Sequence, residues 1–378
     1  MRAGAGGGHG GVAVRDGHLA RARTRLAVMR AYQPPSNRLR HFGSDNYAGI
    51  CPEAWQSLEA ANRNHAVGYG DDDWTARATE LIRSTFETDC DVFFVFNGTA
   101  ANALALASIC QSHHAVICHE AAHAATDECG APEFFSHGAK LLLAPGANAK
   151  LTPAGIAVLA SRRPDVDFPL VRAVSVTQAT EFGTVYSPDE VTAISSECRR
   201  LKLKLHMDGA RFANAVASLG VPPKAITWQA GVDVLSFGGT KNGTHAGDAV
   251  VFFDRALACE FDYRRKQGGQ LASKMRFLAA PWIGMLQDGA WLRRATDANA
   301  MAARLHDALA AISGATILQP RQANAVFVDL PAAAITGLHE RGWRFYVFIG
   351  DTGCRLMCSW DTTREDVDAF AADLRALL

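Results

Sequence analysis

Leu203-Lys204-Leu205-His206-Met207-Asp208-Gly209-Ala210-Arg211 runs from an apolar strand-like segment into an acid, a glycine and an arginine, and Arg211–Ser218 after it reads as a helix. Strand, polar turn and helix in succession form the unit of parallel sheets. In such sheets ligands lie beyond the carboxyl ends of the strands, which puts Asp208 at the edge of a crevice. An acid there also caps helices, and the residue alone does not separate the two roles. Further along, Phe237-Gly238-Gly239-Thr240-Lys241-Asn242-Gly243 follows a second strand candidate, Val232–Phe237. Glycines around Lys241 let the backbone approach a bound molecule closely. A solvated loop lysine is the alternative, and the residue order is not that of a P-loop.

Upstream, Asn97-Gly98-Thr99-Ala100-Ala101-Asn102 follows the strand candidate Val92–Phe96 and opens the helical stretch Ala100–Cys110. Small residues at a helix start leave backbone N–H groups free for an anion, and the helix dipole adds to that attraction. Further strands are expected at Ala115–Cys118, Leu141–Ala144, Val171–Thr177 and Ala249–Phe253. Helices are expected at Pro153–Ser161 and Pro188–Arg199, with Thr152 and Ser187 as N-caps. The alternation predicts a mostly parallel sheet covered by helices. After Gly289 the rhythm changes to a long helix, Trp291–Ile312, then Ala325–Asp329, Ala332–Arg341, Phe345–Ile349, Arg355–Ser359 and a helix from Arg364. The expected division is a large domain over 38–289 and a smaller α+β domain over 290–378.

The chain has 378 residues with 38 basic and 38 acidic side chains, a balance that favours neither nucleic acid nor a membrane surface as partner. No apolar run reaches the roughly 18–20 residues of a membrane helix. The 9 cysteines are scattered without a Cys-x-x-Cys pair, which argues against a disulfide framework or a structural zinc and for a reducing, cytoplasmic setting; no metal is expected. Residues 1–37 read as a disordered Arg/Gly-rich leader, with a targeting segment, or an upstream extension ahead of Met29, as the other readings.

A phosphate cradle, a strand-end acid and a strand-end lysine together fit pyridoxal 5′-phosphate (PLP), which needs an anchored phosphate, a lysine for its aldehyde and a carboxylate at its ring nitrogen. With Ser44-Asp45-Asn46-Tyr47-Ala48-Gly49, Gly68-Tyr69-Gly70-Asp71-Asp72, Gly98-Thr99-Ala100-Ala101-Asn102, Ala122-His123, Glu128, His206–Arg211, Gly239-Thr240-Lys241 and Arg355, the chain resembles the low-specificity L-threonine aldolases from Phe42 onward. These are fold type I, aspartate-aminotransferase-like PLP enzymes. The resemblance implies an α/β fold with a PLP-dependent-transferase-like large domain and a smaller C-terminal α+β domain.

The same resemblance implies roles. Lys241 would hold the cofactor as a Schiff base, Asp208 would pair with the ring nitrogen, and Arg211 would lie near its phenolic oxygen. Gly98 and Thr99 would hold the phosphate. His123 would stack on the ring, and it is the candidate, directly or through a water, to take the proton of the substrate hydroxyl. Ser44 and Arg355 would bind the substrate carboxylate. Tyr69 would reach the site from a neighbouring subunit of a dimer or tetramer, and Lys266 would touch a phosphate across that interface. The implied reaction is retro-aldol cleavage of L-threonine, L-allo-threonine or phenylserine-like substrates to glycine and an aldehyde. The chain departs from relatives at Arg355-Leu356-Met357-Cys358-Ser359, and at Asp165-Val166-Asp167, where relatives often carry a histidine; if that histidine helps hold the substrate hydroxyl, its loss would alter rate or threo/erythro preference. Competing readings are a PLP-dependent β-eliminating lyase and a non-catalytic PLP-binding regulator.

Overall fold

Alternation of side chains along seven strands builds the larger of two sheets in the structure, a computed structural model that describes residues 39–163 and 165–378. The leader expected over 1–37 lies outside the described residues. The strands are β1 (Asp91–Val95), β2 (His114–His119), β3 (Lys140–Ala144), β4 (Leu170–Thr177), β5 (Lys204–Gly209), β6 (Val234–Phe237) and β7 (Asp248–Phe252). Their spatial order is β1-β7-β6-β5-β4-β2-β3. The pairs from β6 through β3 are parallel, whereas β7 runs antiparallel to both β6 and β1. The carboxyl ends of β1, β2, β4, β5 and β6 therefore share one edge with the amino end of β7.

Each face of the sheet takes alternate residues, as the strand pleat requires. Val95, Val116, Ala173, Val234 and Val250 join a cluster around the Gly98–Ile109 helix. Phe94, Ile117, Val174, Leu235 and Val251 join the opposite cluster with Ile82, Phe86 and Trp282. The Gly98–Ile109 helix is alanine-rich and buried almost all round, because it lies on the sheet and under the short helix Ala131–Phe135. The expected caps form: Thr152 Oγ1 accepts from Gly155 N, and Ser187 closes a capping box with Glu190.

The second sheet is antiparallel, in the order β10 (Tyr346–Ile349), β11 (Gly353–Met357), β9 (Ala325–Asp329), β8 (Thr316–Ile317). Its core holds Leu305, Val326, Leu338, Trp343 and Phe370, together with Phe42 from far upstream. Phe42 donates its N–H to Arg344 O at 2.8 Å and accepts from Met357 N at 2.8 Å. This tie fixes the start of Ser44-Asp45-Asn46. Arg40–Leu378 form a single compact unit. Among the described residues no helix is long and apolar enough to cross a membrane.

Candidate active site

Five of the strand ends meet around a cavity of about 190 Å³. The turn after β1 contributes Gly98 and Thr99, the segment after β2 His123, the end of β5 Asp208, the turn after β6 Lys241, and the start of β7 Asp248. Asn46 closes the rim from the segment that Phe42 anchors. Five expected residues, Gly98, Thr99, His123, Asp208 and Lys241, are thus brought to one place. A larger depression of about 740 Å³ lies at the opposite end of β4, among Arg163, Asp165 and Val166. Asp165-Val166-Asp167 precedes β4, whose eight residues span about 25 Å at ~3.3 Å each. The expectation that this departure touches substrate stereochemistry is corrected: the position sits at the wrong end of the strand.

Asp208 is buried and doubly held, Oδ2 accepting from Asn102 Nδ2 at 3.0 Å and Oδ1 from Ala210 N at 3.0 Å. The same Asn102 amide nitrogen donates to Glu128 Oε1 at 2.8 Å, and that oxygen lies 2.8 Å from His123 Nδ1. A chain Asp208–Asn102–Glu128–His123 results. The Glu128 hydrogen bond raises the His123 pKa against the effect of burial, with the Asp208 charge adding to the rise. Burial pushes the Glu128 carboxyl up, the His123 hydrogen bond opposing it. Sequence reading quoted Asn102 and Glu128 as motif residues but gave them no role.

Lys241 sits in the 3-10 turn Thr240–Asn242. The backbone there is crowded: a Cβ on Gly238 would lie 2.6 Å from Ala210 O, and one on Gly239 2.7 Å from the Trp282 ring. Asp248 Oδ1 holds the turn by accepting from Gly239 N at 2.9 Å and from Thr240 N and Oγ1 at 3.2 Å each. Asp248 was not anticipated, because its position follows from β7 running antiparallel.

The remaining expected residues divide into two groups. Arg211 directs Nε and Nη2 to Asp45 at 2.7 and 2.9 Å, an ion pair buried on both sides and joined by Asn324. Burial works to raise the Asp45 carboxyl, and the Arg211 guanidinium outweighs it, holding the group below the usual carboxylate range. Ser44 Oγ caps the next turn by accepting from Asn46 N at 3.1 Å. Arg355 on β11 is mostly buried, its guanidinium 4.4 Å from the Phe348 ring centre and 3.8 Å from Glu181 Oε2. Burial, then the neighbouring Arg211 cation, lowers its pKa, and its Nε has no partner among the described residues. Tyr69 and Lys266 lie elsewhere and together, the ammonium 4.8 Å from the ring centre. Tyr69 is 52% exposed, and neither residue lines the cavity of its own chain.

Residues 41–333 match the family described as beta-eliminating lyase. The chain is 58% identical over 343 residues to a low specificity L-threonine aldolase from Pseudomonas sp. (strain NCIMB 10558), covering 91% of this chain and 99% of that protein. A Pseudomonas aeruginosa protein of the same name is 59% identical over the same shares. The chain belongs to the low-specificity L-threonine aldolase family. A solved threonine aldolase from Leishmania major superposes with a TM-score of 0.84 at 29% identity, covering 89% of this chain and 99% of that one.

The cofactor of this aldolase family is pyridoxal 5′-phosphate. The cavity fits it on observations of the structure itself. Gly98 and Thr99 are the first two residues of their helix, so their N–H groups lack intrahelical partners, and both residues line the cavity. A Cβ on Gly98 would come within 3.2 Å of Asp248 Oδ2, so the missing side chain keeps that part of the cavity open. Asp208 and Lys241 reach the same cavity.

Proposed function

We propose that the chain cleaves L-threonine, L-allo-threonine and related β-hydroxy-α-amino acids, phenylserine-like ones included, to glycine and an aldehyde. The observation that carries this reading is the meeting of Lys241, Asp208, His123 and the Gly98–Thr99 helix start at one cavity, in a chain matching two named aldolases over 99% of their length. When bound, the cofactor supplies an aldehyde for the substrate amine and a cationic ring that draws electrons from the bond being broken.

The chain's own groups do the rest. Lys241 would hold the cofactor through its aldehyde. Asp208, fixed through Asn102 and the Ala210 N–H, keeps a proton on the ring nitrogen. Arg355 and Ser44 would hold the substrate carboxylate and so orient the bond that breaks; the planar guanidinium suits that task. His123, oriented by Glu128, takes the proton of the β-hydroxyl. The buried Arg211–Asp45 pair joins the turn after β5 to the segment carrying Ser44 and Asn46, leaving Nη1 for the cofactor's phenolic oxygen.

The same proposal takes in a large domain over 38–289 and a smaller one over 290–378, supported by the separate clusters under the two sheets. It also takes in a cytoplasmic homo-oligomer, dimer or tetramer, in which Tyr69 and Lys266 serve a neighbouring subunit's site. Their exposure and their absence from the lining of their own cavity support that reading. Incubating the holoenzyme with L-threonine, L-allo-threonine, phenylserine and L-serine tests the reaction. Glycine plus aldehyde is expected. Pyruvate plus ammonia from serine, with no glycine from threonine, would replace this reading with β-elimination.

A further inference from the structure

Two carboxylates line the cavity, Asp208 and Asp248. The first has a task in the proposed reaction and the second does not. Asp248 is 5% exposed. Its Oδ1 is taken up by the three donors of the lysine turn. Its Oδ2 accepts no hydrogen bond from any described residue and faces Gly98, where a Cβ would sit only 3.2 Å away. A free lone pair on a buried acid therefore points at the helix start that would receive a phosphate. Two anions at that separation repel, whereas one proton between them makes a short, charge-assisted hydrogen bond.

We propose that Asp248 makes this subsite selective for an anion that shares one proton with it, so that a phosphate or phosphomonoester is accepted and sulfate is disfavoured. The inference rests on the cofactor reading above and deepens it. Phosphate oxygens take a proton near neutral pH, the second pKa of a phosphomonoester being about 6. Sulfate does not, so its binding requires the proton to reside on Asp248 itself. The balance is explicit: where the free phosphomonoester dianion and free Asp248 both lack a proton, binding takes one proton from solvent and places it between Oδ2 and a phosphate oxygen. The complex holds that proton more tightly than either free partner. Affinity is therefore full at low pH and falls as pH rises, by about tenfold per unit for one linked proton.

The groups facing Asp248 agree with this assignment. Lys241 is the cation among them, from the 3-10 turn. The helix presents Gly98 and Thr99, β1 places Val95 opposite in register, and β6 ends on Phe237 beside Ala249, none of them titratable. Burial already raises the Asp248 carboxyl, against the backbone donors and Lys241.

The test uses the full chain freed of cofactor, with methyl phosphate and sulfate as competitors of PLP rebinding between pH 7 and 9. These probes avoid the ring nitrogen and the Lys241 reaction. Sulfate is expected to bind at least tenfold more weakly than methyl phosphate, and the methyl phosphate Kd to rise about tenfold between pH 8 and 9. Calorimetry in two buffers of different ionisation enthalpy should register uptake of about one proton. Asp248→Asn keeps an acceptor for the lysine turn and should remove both the slope and the discrimination. Equal binding of the two anions by the wild type, without proton uptake, overturns the proposal whether or not the variant folds. A slope that persists in Asp248→Asn overturns it as well. A chain that fails to bind PLP at all, shown by no visible absorbance, fails the cofactor reading instead.

Discussion

Replacing Asp45 with alanine strands the Arg211 guanidinium in a buried site. The carboxylate is fully buried, the arginine side chain is 8% exposed, and the pair is joined by two hydrogen bonds of 2.7 and 2.9 Å. Removing one partner of such a pair costs about 3–5 kcal/mol, because the remaining charge keeps its desolvation penalty without its counter-ion. The lost Asn324 contact adds about 1 kcal/mol. In a chain of this size that corresponds to a fall in Tm of roughly 5–8 °C. Urea unfolding and thermal melting of wild type, Asp45→Ala and Asp45→Ala/Arg211→Met measure it. The double variant should recover much of the loss, since no isolated charge is left. The pH dependence has a definite sign. Asp45's folded carboxyl lies below its ordinary value, so its contribution is fully present above the unfolded pKa of about 3.9 and is lost as pH falls through the folded pKa. A loss under about 1 kcal/mol at neutral pH, with no recovery in the double variant, would refute the buried-pair argument.

Glu128→Gln removes the group that raises the His123 pKa, so His123 should lose its proton at lower pH. If His123 is the base, the acid limb of kcat/KM for L-threonine moves to lower pH, and an unmoved limb takes His123 out of that role. Arg355→Lys replaces a planar fork with a point charge, and the loss of one charge-assisted bond, about 1.5–3 kcal/mol, should raise KM for L-threonine by roughly 10- to 150-fold. A KM within twofold of wild type would place the carboxylate elsewhere.

Much of the fold could be read from the sequence because apolar runs and caps are local signals. Strand expectations such as Val171–Thr177 and Ala325–Asp329 fall on β4 (Leu170–Thr177) and β9. The two-residue strand β8 is too short to show a period. The site divides in the same way. Asp208 and Lys241 announce themselves by standing at strand ends, whereas Asp248 stands at a strand beginning. Only the antiparallel course of β7 brings it to the same edge, and strand direction is a property of the whole sheet. Asn102 and Glu128 gain their meaning from a contact 26 residues apart, and Asp45 and Arg211 from one 166 residues apart. No local pattern encodes those distances.

The central claim is that one particular amine, that of Lys241, carries the cofactor. Borohydride reduction of the holoenzyme followed by peptide mass mapping tests it directly. The added pyridoxyl mass should fall on the peptide containing Lys241 and on no other lysine. The same mass on a different lysine, or on none in a protein that still cleaves threonine, would contradict the account.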